Sequence, residues 1–145
     1  MKDPKWWFIF HNRKILVQHE GSTATIPYVK DISELSLCPV RQQYLGILNN
    51  THCYAAELEG EYDVPDGMEF EGLRDIYMYL SGDLFHVALR AIHIIEWDKG
   101  SQFCSRCGAR LKLHEQVRAK ECQQCGDVHF PRISPAIIVL VERDN

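Results

Sequence analysis

The chain has 145 residues, 46% of them hydrophobic and 25% charged, enough apolar mass for one compact domain or for one domain plus a small module. Sixteen Lys and Arg against twenty Asp and Glu give a formal charge of −4, so no global basic field marks nucleic acid as the main partner. No run approaches the roughly 18 apolar residues of a membrane span, and Met1-Lys2-Asp3-Pro4-Lys5-Trp6-Trp7 lacks the apolar core and cleavage site of a secretory signal, so a cytoplasmic protein with no membrane partner is expected.

The first 60 residues alternate short apolar runs with turn residues. Trp6 to Phe10 and Ile15 to Gln18, broken by His11-Asn12-Arg13, read as one β-hairpin. Tyr44 to Leu48 and Cys53 to Leu58, joined across Asn49-Asn50-Thr51-His52, read as a second, and together they predict a small antiparallel sheet. From Gly60 to Gly72 the composition is acidic and turn-rich, with Pro65-Asp66-Gly67 as a tight turn, and this stretch is expected to be a loop. Leu73, Ile76, Tyr77 and Leu80 recur at helical spacing and predict a short helix. Ser81-Gly82-Asp83 then supplies a cap for a longer one, in which Leu84, Ala88, Ile92 and Ile95 repeat, Trp97 lies near the end and Gly100 is the stop. That helix reads as an amphipathic cover for the sheet. His86 and His93 share one of its faces, but without a third ligand they do not make a metal site.

Six cysteines are present, and their placement separates them. Cys38 and Cys53 stand alone and read as buried small apolar residues. The other four form Cys104-x2-Cys107-Gly108 and Cys122-x2-Cys125-Gly126, with 14 residues between the pairs. In a reducing compartment two such pairs read as a metal site, not a disulfide framework. A Cys-x2-Cys turn points both sulfurs at one centre, and the glycine after the second Cys relieves the backbone where amides fold back toward the thiolates. Four thiolates close the coordination sphere around a structural Zn2+ and leave no position for water. Iron in a rubredoxin-like carrier is the competing ion, and the short gap between the knuckles favours zinc. Leu111 to Glu121 and Asp127 to Phe130 would be the strands of a zinc ribbon. From Ser101 to Arg132 six bases oppose three acids, and a zinc ion with four thiolates reduces the balance to about +1, weak for a nucleic-acid clamp.

After the ribbon, Phe130-Pro131-Arg132-Ile133-Ser134-Pro135 leads into Ala136-Ile137-Ile138-Val139-Leu140-Val141 and then Glu142-Arg143-Asp144-Asn145. A strand apolar on both faces belongs in the middle of a larger sheet. Either it adds to the N-terminal sheet, or a further domain opens here with Asp144-Asn145 in a hairpin turn.

This order of features resembles the NADH pyrophosphatase (NAD diphosphatase) family of Nudix hydrolases. The likeness is carried by Gly72-Leu73-Arg74, the helix ending near Trp97, Phe103-Cys104-x2-Cys107-Gly108, the second knuckle, and Phe130-Pro131-Arg132-x2-Pro135-Ala136-Ile137-Ile138. It is most specific from Trp97 to Val141 and loose before Gly72.

The resemblance implies an α+β protein with an N-terminal domain over residues 1–98, a zinc ribbon over 99–132 and the start of a truncated Nudix domain over 133–145. It implies a hydrolase that cleaves the pyrophosphate of NAD(H) to nicotinamide mononucleotide and AMP, with bacterial members also removing NAD caps from RNA, and a homodimer. Catalysis in the family depends on the Nudix box, G-x5-E-x7-R-E-U-x-E-E-x-G-U, whose glutamates hold Mg2+ or Mn2+ on the pyrophosphate. This sequence contains no such box. Those cations are therefore expected only in the missing Nudix domain, no catalytic residue is assigned, and the chain is expected to be inactive alone. Two substrate contacts carry over by motif. Phe130 resembles the ring that stacks on adenine, with a hydrophobic plug between ribbon and Nudix domain as its alternative role. Arg74 resembles a substrate-contacting position suited to phosphate pairing, with a salt bridge to Asp75 or Glu71 as its alternative. The family's acidic residue between the knuckles has no clean counterpart, since Val117 holds the aligned position and Glu115 lies nearby.

A reading from a different class is a stand-alone zinc-ribbon module that binds protein or single-stranded nucleic acid through Phe103, Phe130 and the ribbon's arginines. The charge of about +1 counts against strong nucleic-acid binding.

Overall fold

The computed structural model describes residues 3–143 in two compact units, Met1–Gly100 and Ser101–Asn145. The chain is of the α+β class.

In the first unit, β1 (Lys5–His11) and β2 (Lys14–Glu20) form the first expected hairpin, closed by Asn12 and Arg13 at φ 47° and 65°. Two consecutive left-handed residues match the turn to the right-handed twist of the strands. The second hairpin, β5 (Arg41–Leu48) and β6 (Thr51–Glu57), turns in the same way on Asn49 and Asn50, at φ 47° and 61°. The turn is therefore two residues tighter than the four-residue connection read from the sequence, because asparagine tolerates the left-handed conformation. The hairpins join through β1 and β6, which run parallel with Trp6 opposite Cys53 and Phe10 opposite Glu57. All other pairings in this sheet are antiparallel, and its main order is β3-β2-β1-β6-β5, where β3 is Thr23–Thr25. Two further strands attach outside that order: β4 (Tyr28–Val29) pairs with β1, and β7 (Met68–Glu71) pairs with β2.

The strand β7 corrects the reading of Gly60 to Gly72 as a loop. Met68 and Phe70 pack into one side of the core, while Glu69 and Glu71 alternate to the other side. This is the period-two pattern of a half-buried strand inside an acidic stretch.

Strand β1 is buried on both faces, so it carries the centre of the unit. Phe8 and Phe10 join Ile15, Val17 and Ala55 on the face covered by α2 (Gly82–Gly100), which contributes Leu84, Ala88, Ala91, Ile92, Ile95 and Trp97. Trp7 and Ile9 join Leu16, Ala56 and Leu58 on the other face, covered by Ile32 and Leu37. Ile32 begins a single 3-10 turn, Ile32–Leu35, capped by Asp31, whose carboxylate accepts from Ser33 N–H while Glu34 accepts from Asp31 N–H. The periodicity of α2 and its stop at Gly100 agree with the sequence reading. The short helix before it, α1, is a single turn, Leu73–Ile76. Ile76 O takes the amides of Tyr79 and Leu80, which buries Leu80 and leaves Tyr77, Met78 and Tyr79 exposed.

A polar cluster ties the end of α2 to the sheet. Glu57, nearly buried, accepts from Arg41 and, at 2.8 Å, from Lys99, and Gln43 Nε2 donates to Asp98 at 2.9 Å. The neighbouring carboxylate of Glu57 raises the Lys99 pKa above its ordinary value, with Glu59 adding to the effect.

The second unit is a three-stranded antiparallel sheet, order β10-β9-β8, of β8 (Leu111–Leu113), β9 (Lys120–Cys122) and β10 (Val128–His129). The strand expected at Ala136–Val141 is absent: residues 130–143 hold neither helix nor strand, and Ile137 and Ile138 are fully open to solvent. A β-segment without a neighbouring strand leaves its amides unpaired and its side chains wet. The turn expected at Asp144-Asn145 lies outside the described residues.

Candidate functional site

Both cysteine knuckles have the same construction. Gly108 N–H donates to Cys104 O and Gly126 N–H to Cys122 O, each at 2.9 Å, and the two glycines sit at φ 76° and 73°. Cys104 N–H then donates to Ala109 O at 2.7 Å and Cys122 N–H to Asp127 O at 2.9 Å. The repeated turn is why each Cys-x2-Cys-Gly segment presents two sulfurs on one side.

The knuckles face each other. Cys104 Sγ lies 3.6 Å from Cys125 Sγ, and Cys107 Sγ lies 3.4 Å from Cys122 Sγ. A disulfide would need about 2.05 Å, whereas sulfurs about 2.3 Å from a tetrahedral zinc stand about 3.8 Å apart. All four cysteine sulfurs lie within 4.8 Å of one another. The pocket thus has the size and donor set for one tetrahedral Zn2+.

The surroundings divide the four thiols, lowering the pKa of Cys104 and Cys122 and raising that of Cys107 and Cys125. Burial opposes ionisation of Cys104, but donation from the amides of Cys107 and Arg106 and from His129 and Cys125 outweighs it and holds the thiol down at about 6. The amide of Asp127 favours the Cys125 thiolate, yet burial and the crowding of Cys107, Cys122 and Cys104 push it up to about 12. Four sulfurs this close cannot all carry charge without a cation among them. His129 and Asp127 were not singled out in the sequence. Their donor atoms and the Cys104 sulfur lie within 4.8 Å of one another, and His129 Nε2 stands 3.1 Å from Asp127 Oδ2. The alternation Asp127-Val128-His129 after the last knuckle carries the signal, since it puts both polar side chains on the cluster side of β10.

The two carried-over substrate residues belong to different units. Arg74 lies in α1 with its side chain exposed, and among the described residues it forms no ion pair with Asp75 or Glu71. Phe130 follows β10 directly and is 59% exposed. Phe103, which bridges to Arg110 at the base of the first knuckle, is also exposed. Glu115 and Val117 lie in the turn between β8 and β9, where His114 Nδ1 accepts the amides of Gln116 and Val117 at 3.1 and 3.4 Å. Of the two lone cysteines, Cys53 is buried in the core and burial raises its pKa, as expected. Cys38 is exposed, contrary to the sequence reading, because Leu37 beside it takes the inward position.

A mixed sheet covered by one long helix and followed by a four-cysteine ribbon defines the class of protein. Residues 4–97 match the NADH pyrophosphatase-like rudimentary NUDIX domain, and residues 100–130 match the NADH pyrophosphatase zinc ribbon domain. The chain belongs to the NADH pyrophosphatase family of Nudix hydrolases. It is 33% identical to a protein of Stutzerimonas stutzeri named NAD-capped RNA hydrolase NudC, over 96% of this chain and 49% of that relative. Proteins of the same name from Deinococcus radiodurans and Chromobacterium violaceum are 37% and 27% identical, over 68% and 97% of this chain and 35% and 50% of the relatives. The chain therefore spans half or less of the length of these curated relatives. The match over residues 4–97 gives the first unit itself a Nudix kinship, which the sequence reading had reserved for residues 133–145. No helix of the described residues is long and apolar enough to cross a membrane.

Proposed function

We propose that this chain is the N-terminal and zinc-ribbon portion of a cytoplasmic, homodimeric Nudix hydrolase that cleaves the pyrophosphate of NAD(H) to nicotinamide mononucleotide and AMP and also acts on NAD-capped RNA. Within that enzyme residues 1–98 and 99–132 build the dimer and shape the substrate pocket, and residues 133–145 open the Nudix domain. The observation that carries this reading is the four-cysteine cluster, followed after β10 by the Phe130-Pro131-Arg132 step with Phe130 and Arg132 exposed, in a unit matching the NADH pyrophosphatase zinc ribbon.

Cys104, Cys107, Cys122 and Cys125 hold a structural Zn2+, which fixes the chain on either side of it. With the cluster closed by four sulfurs, the zinc has no open position for chemistry. Its work is to hold β10 so that Phe130 projects as a flat ring beside the start of the Nudix domain. A ring in that position stacks on adenine, an interaction worth about 1 to 3 kcal/mol per base. The guanidinium of Arg74 pairs with the pyrophosphate oxygens, a planar fork matched to phosphate. Mg2+ or Mn2+ and the attacking water belong to the Nudix box outside this chain.

The test uses a longer product of the locus that carries a Nudix box. Phe130→Ala is expected to raise the KM for NADH by about 5- to 150-fold, the equivalent of 1 to 3 kcal/mol of lost stacking. Arg74→Ala is expected to raise it as well, with melting temperatures unchanged because both side chains are exposed. Unchanged KM in both variants would remove these residues from the pocket.

A further inference from the structure

Among the described residues the edge strand β7 pairs only with β2, and that pairing gathers a second group of ligand-type side chains. Ile15 stands opposite Glu71 and Val17 opposite Glu69, so both glutamates share a face with Ile15, Val17 and, one step further along β2, His19. His19 Nε2 is 2.9 Å from Glu69 Oε1 and also meets Glu71 Oε1. The donor atoms of the three residues lie within 4.8 Å of one another.

Two features set this group apart from an ordinary surface ion pair. One ring nitrogen faces two carboxylates, and it carries at most one proton to share between them. The Glu71 side chain is only 20% exposed, so one of the two like charges is partly removed from water and needs a cation close by. An imidazole nitrogen and two carboxylate oxygens are the donors that a borderline divalent cation takes, with water completing its shell.

We propose that His19, Glu69 and Glu71 form a second metal site, open to solvent and separate from the four-cysteine cluster, for a zinc-class divalent cation. The cation replaces the proton on His19 Nε2 and takes one oxygen from each glutamate. Its structural effect is to staple β7 to β2 immediately before Gly72-Leu73-Arg74, which holds the segment that carries Arg74.

The experiment titrates Zn2+ by calorimetry into the full 145-residue chain already loaded with one zinc per chain, as counted by elemental analysis. A further equivalent is expected to bind, and His19→Ala and Glu71→Gln are each expected to weaken it at least about tenfold while leaving the first zinc in place. Glu69→Gln, in a side chain 63% exposed, gives a third variant whose folding is not at stake and should weaken the same equivalent. No uptake beyond one zinc would overturn the proposal and leave a salt-bridged histidine. So would a second equivalent with unaltered affinity in the variants.

Discussion

Replacing Cys122 by Ser should unfold the ribbon and leave the first unit intact. Apart from its sulfurs, the ribbon's own core has little in it: Cys104, Leu111 and Cys122 are buried, with Ala109 and Cys125 packed against them. Leu111 is the one large apolar side chain of that group, and burying it stabilises by about 1.5 to 3 kcal/mol. A structural zinc in a small finger contributes about 10 to 16 kcal/mol, so the metal outweighs the apolar contacts several-fold and its loss cannot be absorbed. Trp6, Trp7 and Trp97 all lie in the first unit, which allows the two units to be followed separately in one sample. Hydrogen exchange should show residues 101–130 losing protection in Cys122→Ser, while the tryptophan emission and its thermal transition stay at wild-type values. Retained protection over 101–130 in a zinc-free variant would refute the assignment of folding energy to the metal. A collapse of the tryptophan transition would refute the independence of the units.

The first unit offers three further tests. Ile95→Ala removes a fully buried side chain between α2 and β1, and it should lower stability by about 2 to 5 kcal/mol in a denaturant titration read by tryptophan emission. Glu57→Gln strips the charge from the acceptor shared by Arg41 and Lys99 and should cost about 1.5 to 3 kcal/mol in the same titration, more than Glu59→Gln at the exposed rim. Asp31 has its pKa lowered from 3.8 by the hydroxyl and amide of Ser33, which donate to the carboxylate. Its folded value is below its unfolded one, so its contribution is present above about 3.8 and lost as the pH falls through the lower folded value. The melting temperature of Asp31→Ala should therefore lie below wild type at pH 5 and converge with it under more acid conditions.

The elements that local chemistry dictates were legible in the sequence. Helix α2 announced itself because Leu84, Ala88, Ile92 and Ile95 repeat at 3.6 residues between a cap and a glycine stop, and the hairpins because asparagine-containing turns, Asn12-Arg13 and Asn49-Asn50, interrupt β-branched and aromatic runs. The cysteine cluster was legible for a different reason. Metal ligands need fixed spacing, and the Gly after each knuckle adds a second, independent mark. The parallel join of β1 to β6 is a long-range choice that no local pattern encodes, and it decides that Trp7, Phe8, Ile9 and Phe10 are all buried. Strand β7 was hidden by composition: three acidic residues between Gly60 and Gly67 drew attention away from the alternation of Met68-Glu69-Phe70-Glu71. With β7 unseen, the meeting of His19, Glu69 and Glu71 across the two strands could not be anticipated. The apolar run Ala136–Val141 looked like a strand because its composition is that of one, but strand formation depends on neighbours as much as on propensity.

The most direct measurement is NADH hydrolysis in the presence of Mn2+, with chromatography of the products, on this 145-residue chain and in parallel on a longer product of the locus that carries a Nudix box. The account predicts AMP and nicotinamide mononucleotide from the longer chain alone. Turnover by the short chain would contradict it, because reactive ligands would then lie among side chains assigned here to folding and substrate contact.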